Sequence, residues 1–201
     1  MKTINITLYK FEELSKEAQQ KAIEDNYNIN TGFEWYDFIL EDITENENIF
    51  ENIKIYFSGF YSQGDGSMFE YNGINAETFK TFLNEEYKHL TEKRRMLIFD
   101  NINITAKGKQ KGHYYHENSC SHYIDIELNQ GYIFSKHSNI YNLIVEINQN
   151  FESYLIDLYK TKCIEIYKNL NDSYDYLQSD EVIKETLISN DYDFTEEGEI
   201  Y

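Results

Sequence analysis

Residues 53–71, IKIYFSGFYSQGDGSMFEY, read as a strand, a polar Gly-rich loop and a second strand. Ile53, Ile55, Phe57 and Gly59 fall on one face of the first strand, with Lys54, Tyr56, Ser58 and Phe60 on the other. Ser62-Gln63-Gly64-Asp65-Gly66-Ser67 then runs six residues without an aliphatic side chain. Gly64 and Gly66 tolerate φ > 0 and leave backbone N–H groups open, and Asp65 between them is the only charge of the loop. Such a loop can hold a ligand, cap a helix or turn the chain, and Gly-Asp-Gly is common hairpin chemistry. The stretch predicts a β-hairpin, with Ser62, Gln63, Gly64, Asp65, Gly66 and Ser67 as a candidate binding loop.

Helical spacing dominates on both sides of this hairpin. Upstream, Thr3–Tyr9 alternates like a short strand, and Ser15 is placed to cap a helix running to about Asn26 with Leu14, Ala18, Ala22, Ile23 and Tyr27 on one side. A second helix is expected after Gly32, with Trp35, Phe38, Ile39 and Ile43 as its core stripe. Downstream, Ala76–Arg95 reads as one helix, Ile102–Ala106 as a strand, Lys107–Gly112 as a turn, and 113–128 as the returning strand. The repeat Ile140, Leu143, Ile144, Ile147, Phe151, Leu155, Leu158, Tyr159 predicts one long helix, or two parted near Asn148-Gln149-Asn150. Ser179 opens a last helix with Asp180 and Glu181 in its first turn, and Tyr192, Phe194 and Tyr201 are available to dock the acidic tail. No internal repeat or Gly/Ser/Pro-rich linker divides the chain. The expectation is an α+β fold, a single domain over 1–201, with a small central antiparallel sheet and helices at the N- and C-terminal ends.

The formal charge of −18 is unevenly spread. Residues 1–52 carry 12 acidic and 4 basic side chains, and residues 170–201 carry 10 acidic and one basic, Lys184. Residues 53–169 are almost balanced, with 14 acidic and 13 basic. This sign is opposite to that of a nucleic-acid binder, so direct nucleic-acid binding is not expected, whereas acidic ends attract basic protein surfaces. The Lys107, Lys109, Lys111 cluster beside Tyr114 and Tyr115 could touch phosphates and stack bases, but a solvated turn is the simpler reading. No stretch approaches the ~18 apolar residues of a membrane span. The first residues lack the apolar core of a signal peptide, and Cys120 and Cys163 are too few for a disulfide framework. Together these predict a cytoplasmic protein with no membrane partner.

Signatures of catalysis are weak. His113, His116, Glu117, Cys120 and His122 are zinc-ligand types, but along an extended strand they split between two faces in ~6.5 Å steps, too far apart for one tetrahedral ion. No nucleophile elbow, P-loop or dinucleotide fingerprint is present. No catalytic residue, metal or cofactor is therefore assigned. A carboxylate pair such as Asp65 with Asp125 or Glu127 could support acid–base or Mg²⁺ chemistry if the fold brought its members together.

FSGFYSQGDGSMFE (57–70), HYYHENSCSHYIDIEL (113–128), YDYLQSDEVIKETLISNDYDFTEEGEIY (174–201) and the opening KFEELSKEAQQKAIEDNYNIN (10–30) resemble, in order, blocks of a family of small phage and prophage proteins loosely labelled antitoxin-like. The resemblance implies a phage-encoded protein of the bacterial cytoplasm and supplies no catalytic residues. Joined to the charge partition, it leads to the expectation of an accessory protein that binds and inhibits a host defence protein, such as a CRISPR effector or another nucleic-acid-handling complex with a basic surface. Tyr174, Tyr176, Asp191, Tyr192, Asp193, Glu196 and Glu197 are the candidate partner-binding residues, read as a solvated acidic rim around tyrosines. Two alternatives stand beside it: a nucleotide- or metal-dependent hydrolase or ligand-binding protein using the 62–67 loop, and an antitoxin that neutralises a cognate toxin.

Overall fold

The structure is a computed structural model and describes residues 6–129 and 139–201. Among them are six α-helices and a four-stranded antiparallel sheet, an α+β fold as the sequence implies. The helices are α1 (Lys16–Asp25), α2 (Asp37–Asn46), α3 (Ala76–Glu86), α4 (Glu92–Asp100), α5 (Asn139–Leu177) and α6 (Asp180–Ser189). Strands β1 (Lys54–Phe57), β2 (Ser67–Asn72), β3 (Ile102–Gln110) and β4 (Cys120–Leu128) lie in the order β1-β2-β3-β4. The residues group into two compact units, a terminal unit of 1–39 with 169–201 and a central unit of 40–168. The predicted strand at Thr3–Tyr9 lies partly outside the described residues, and Tyr9 makes a single antiparallel bridge to Phe194.

In the central unit one face of the sheet carries the core. Ala106, Ile124 and Ile126 from β3 and β4, and Phe69 and Tyr71 from β2, are buried with Phe50. Helix α5 adds Ile147, Phe151, Leu155, Tyr159 and Cys163 at four-residue spacing, unbroken at Asn148–Asn150, and α3 adds Phe79, Phe82 and Leu83. The rings of Phe79 and Phe151 meet edge to face at 4.9 Å. The pairing of β2 with β3 covers only Tyr71↔Gly108 and Asn72↔Lys107. Before this pairing, at Phe69, the Tyr159 hydroxyl stands in for the missing strand, donating to Phe69 O at 2.9 Å and accepting the Phe69 N–H at 3.2 Å. Buried backbone groups require partners, and here a side chain from α5 supplies both.

Three expectations need correction. The helix read across Ala76–Arg95 is two, because Arg95 turns back to the end of α3: Nε donates to Asn84 Oδ1 at 2.9 Å and the guanidinium reaches the carbonyls of Tyr87 and Leu90. These bonds satisfy carbonyls that a continued helix would have used. Lys93 to Arg95 therefore lie near the start of α4 and not at the end of a helix. Lys107 and Lys109 belong to β3 on its exposed face, since β3 and β4 pair over nine residues each and leave 111–119 as the connection. In α2 no residue is fully buried and Phe38 is 83% exposed, so amphipathic spacing there does not mark a core contact.

The terminal unit is held by a second apolar cluster. Phe11, Leu14, Ala18, Ala22 and Ile23 pack with Ile183, Leu187 and Phe194, and Tyr9, Ile29 and Tyr192 lie partly buried against them. Helix α1 begins as predicted, with Ser15 Oγ accepting the Ala18 N–H at 3.2 Å, a cap worth about 1 kcal/mol. Tyr27 leaves the apolar side and bonds Gln178, whose amide also reaches Asn28, Thr31 and Tyr174. Ser179 occupies the N-cap position of α6 but turns its hydroxyl to Tyr176 O at 2.7 Å.

Candidate functional site

The loop between β1 and β2 is longer than its sequence suggests. Phe57 pairs with Ser67, so residues 58–66 form the connection, and Ser67 is a buried strand residue that donates to Cys163 O at 2.6 Å. Ser67 therefore leaves the candidate loop. Asp65 is committed to the loop itself: one carboxylate oxygen accepts the N–H groups of Tyr61 (3.0 Å) and Ser62 (2.6 Å), and its own N–H donates to Ser62 O. Gly64 has φ +94, as expected of a tight turn. Gly66 does not, and its glycine is required by space: a Cβ there would lie 2.8 Å from His116 Cβ and 2.9 Å from Tyr115 O. The 113–119 connection thus folds against the loop, with Tyr115 stacked on Tyr56 at 5.4 Å.

The histidines and cysteines do not converge as a group of ligands. His116 accepts the Asn118 N–H, while Cys120 and His122 lie on the inner sheet face. Among the described residues no group of three or more His, Cys, Asp or Glu is placed to hold a metal ion. His122 Nδ1 faces the Tyr71 hydroxyl at 3.1 Å and its ring meets Tyr159 at 4.6 Å. Burial lowers its pKa, with the Lys160 charge adding to the effect. Burial raises the Cys120 thiol, and pushes Cys163 up to about 12 against a pull from the Tyr159 hydroxyl. Both cysteines are free thiols in surroundings that disfavour the thiolate, which makes them poor nucleophiles.

The C-terminal tail offers the more open chemistry. Phe194 is fully buried, and its backbone exchanges hydrogen bonds with Tyr9 at 2.8 and 2.9 Å. Thr195 N–H donates to Glu199 O and Tyr201 N–H to Asp193 O, folding the tail back on itself. Gly198 lies so close to α1 that a Cβ would sit 2.2 Å from Ala18 O. This docking leaves the tail's carboxylates outside. Lys10 pairs with Asp193 (2.8 Å) and Asp191 (3.0 Å), which raise its pKa in that order, and Lys21 pairs with Glu199 at 2.8 Å, holding that carboxyl below its usual value.

Glu196 and Glu197 instead line a hollow of about 530 Å³ with Tyr9, Glu13, Leu14 and Ser15. The acidic rim is accordingly in two parts, one neutralised by Lys10 and one opening on the hollow. Tyr192 packs inward, and Tyr176 is 65% exposed. Tyr174 rests on Trp35 at 5.5 Å, and Trp35 is half-buried. Tyr9, Glu13 and Ser15 were not among the expected site residues. The bridge that brings Tyr9 beside the tail links positions 185 residues apart, and no local pattern marks it.

Fold and site together define a helix-rich α+β protein with an outward-facing acidic hollow. The chain belongs to the family described as Domain of unknown function (DUF8835), which matches residues 35–180. No curated protein and no solved structure matches it. The matched span contains the whole central unit, whereas Asp191 to Glu197 lie beyond it.

Proposed function

We propose that this chain is a binding protein that inhibits a host component by occupying its basic surface, and that the carboxylates of Glu196 and Glu197 are its main point of attachment, beside Glu13, whose carboxylate also accepts the Lys10 N–H at 2.8 Å. The hollow they line with Tyr9 carries the reading. It suits a lysine or arginine side chain, because cations gain from several carboxylates at once and tyrosine adds an apolar wall with a polar tip. Docking through Phe194 holds these groups in place before a partner arrives, which lowers the ordering cost of association. The excess of acid in residues 170–201 would steer encounter with a basic groove. The resemblance of the four sequence blocks to phage and prophage proteins favours a host defence complex such as a CRISPR effector as the target, in the bacterial cytoplasm. The antitoxin reading uses the same surface against a toxin. The hydrolase reading is less well supported, since both N–H contacts to Asp65 tie it to its own loop.

Capture from bacterial host lysate with the wild-type chain and with Glu196→Gln/Glu197→Gln tests the reading. A partner with a basic groove should be retained by the wild type, lost from the variant, and released by high salt. Equal retention by both proteins would contradict it.

A further inference from the structure

The sheet has an edge at β1, and beside that edge runs a groove of about 440 Å³ lined by Ile53, Lys54 and Ile55 on one bank and Leu40, Glu41, Thr44 and Glu45 of α2 on the other. Every one of these residues belongs to the central unit. Hydrogen-bond parity gives the edge its direction. Ser58 N–H donates to Gly66 O at 3.0 Å, so in the observed register Tyr56↔Met68 and Lys54↔Glu70 are the bonded pairs and Ile55↔Phe69 is not. Phe69 confirms this from the other side, since its N–H and C=O both turn away from β1 to the Tyr159 hydroxyl. The N–H and C=O of Ile55 therefore point out of the sheet at its edge, and Ile55 is only half-buried.

The two banks are held in place by the chain between them. Glu47 Oε1 accepts the N–H groups of Ile49 (2.7 Å) and Phe50 (3.2 Å), and Lys162 reaches the other oxygen of that carboxylate at 3.7 Å. The short length of β1 and the charge of Lys54 are features that elsewhere discourage strand pairing. Here Lys54 leans over the Tyr56 ring at 5.0 Å, on the opposite sheet face from Ile53 and Ile55.

We infer that this groove takes an extended segment of a partner protein, which adds as a strand to the edge of β1. Its alternate side chains are apolar and meet Leu40, Ile53 and Ile55. Lysines or arginines on the segment pair with Glu41 and Glu45, which stand one helical turn apart and are both exposed. Strand addition between a sheet edge and a helix draws affinity from the backbone and selectivity from pockets for alternate residues. The inference rests on the binding reading only in taking the occupant to be a protein segment, and it places a second contact surface on a different unit from the acidic hollow.

The probe is a labelled synthetic peptide of about ten residues alternating Val and Lys, with an Asp-for-Lys peptide as control. Saturable binding of the first peptide alone is expected, with slowed amide exchange at Ile55. Ile55→Pro removes an N–H that the ladder does not use, so the fold should tolerate it while binding falls ~10-fold or more. Should that variant not fold, Glu41→Lys/Glu45→Lys, at two exposed helix positions, gives the decisive comparison and should weaken binding similarly. A lysine-bearing peptide also suits the acidic hollow, so binding is measured in the Glu196→Gln/Glu197→Gln background as well, where saturable binding sensitive to the groove substitutions should persist; its complete loss there would contradict the placement at β1. Failure of the Val-Lys peptide to bind, or binding untouched by the groove substitutions, would overturn the inference.

Discussion

The Tyr159 hydroxyl in the central unit and the Phe194 ring in the terminal unit solve opposite problems. Tyr159 brings a polar atom into a buried apolar layer to satisfy a strand that lost its neighbour. Phe194 brings an apolar ring into a small cluster so that a chain rich in acid can be fixed at the surface. In the first case polar chemistry is consumed by the architecture: Tyr71, His122, Ser67 and Tyr159 all bond inward. In the second the architecture leaves polar chemistry outside, where Glu196 and Glu197 face a hollow. Residue types that look catalytic in the sequence are therefore structural in one unit, and residues that look merely solubilising carry the binding proposal in the other.

Substitutions at these two anchors should separate the units. Phe194→Ala removes a fully buried ring and should cost about 3–5 kcal/mol in the terminal unit. Amide exchange should accelerate at Tyr9, Phe194 and Thr195 while Phe69 stays protected, and equal acceleration at Phe69 would show that the units do not respond separately. Tyr159→Phe leaves two buried backbone groups of Phe69 without a partner and should cost about 2–4 kcal/mol by denaturant unfolding. Its exchange signature should be the reverse, centred on β2.

Much of this contrast could be read in advance, and the unread part has a common cause. The α1 cap at Ser15 and the long stripe of α5 were legible because caps and helical periodicity are local properties. The break between α3 and α4 was not, since it depends on Arg95 reaching carbonyls behind it. Tyr159 looked like one more stripe residue, because nothing local reports that β2 pairs with β3 only at Tyr71 and Asn72. The loop residues Gly64 and Asp65 were legible as turn chemistry, but the role of Gly66 depends on a connection about fifty residues away.

The two glycines of that loop sharpen the point at a smaller scale. Gly64→Ala should cost about 1 kcal/mol through backbone strain alone, as its Cβ would meet only Tyr114 at 3.5 Å. Gly66→Ala should cost more, about 1–3 kcal/mol, because the 115–116 backbone must move. Equal costs would place both glycines in the same class.

A weaker effect concerns pH. The pKa of His122 is lowered on folding, so the unfolded chain binds a proton more readily than the folded one. Its contribution to stability is complete above the unfolded value of 6.5 and is lost as pH falls from there through the lower folded value. Protonation would also leave Nδ1 able only to donate towards the Tyr71 hydroxyl. His122→Gln should flatten this part of the stability–pH curve, and a slope unchanged by the substitution would remove His122 as its source.

The acidic hollow as the partner-binding surface is tested most directly by association kinetics. The measurement compares the wild type with Asp191→Asn/Asp193→Asn/Glu196→Gln/Glu197→Gln against the captured partner, at low and at high salt. The account predicts a stably folded variant that associates ~10-fold more slowly at low salt, with the difference shrinking as salt rises. An association rate equal to that of the wild type at low salt would contradict it and leave the acidity of the tail as a solubility feature.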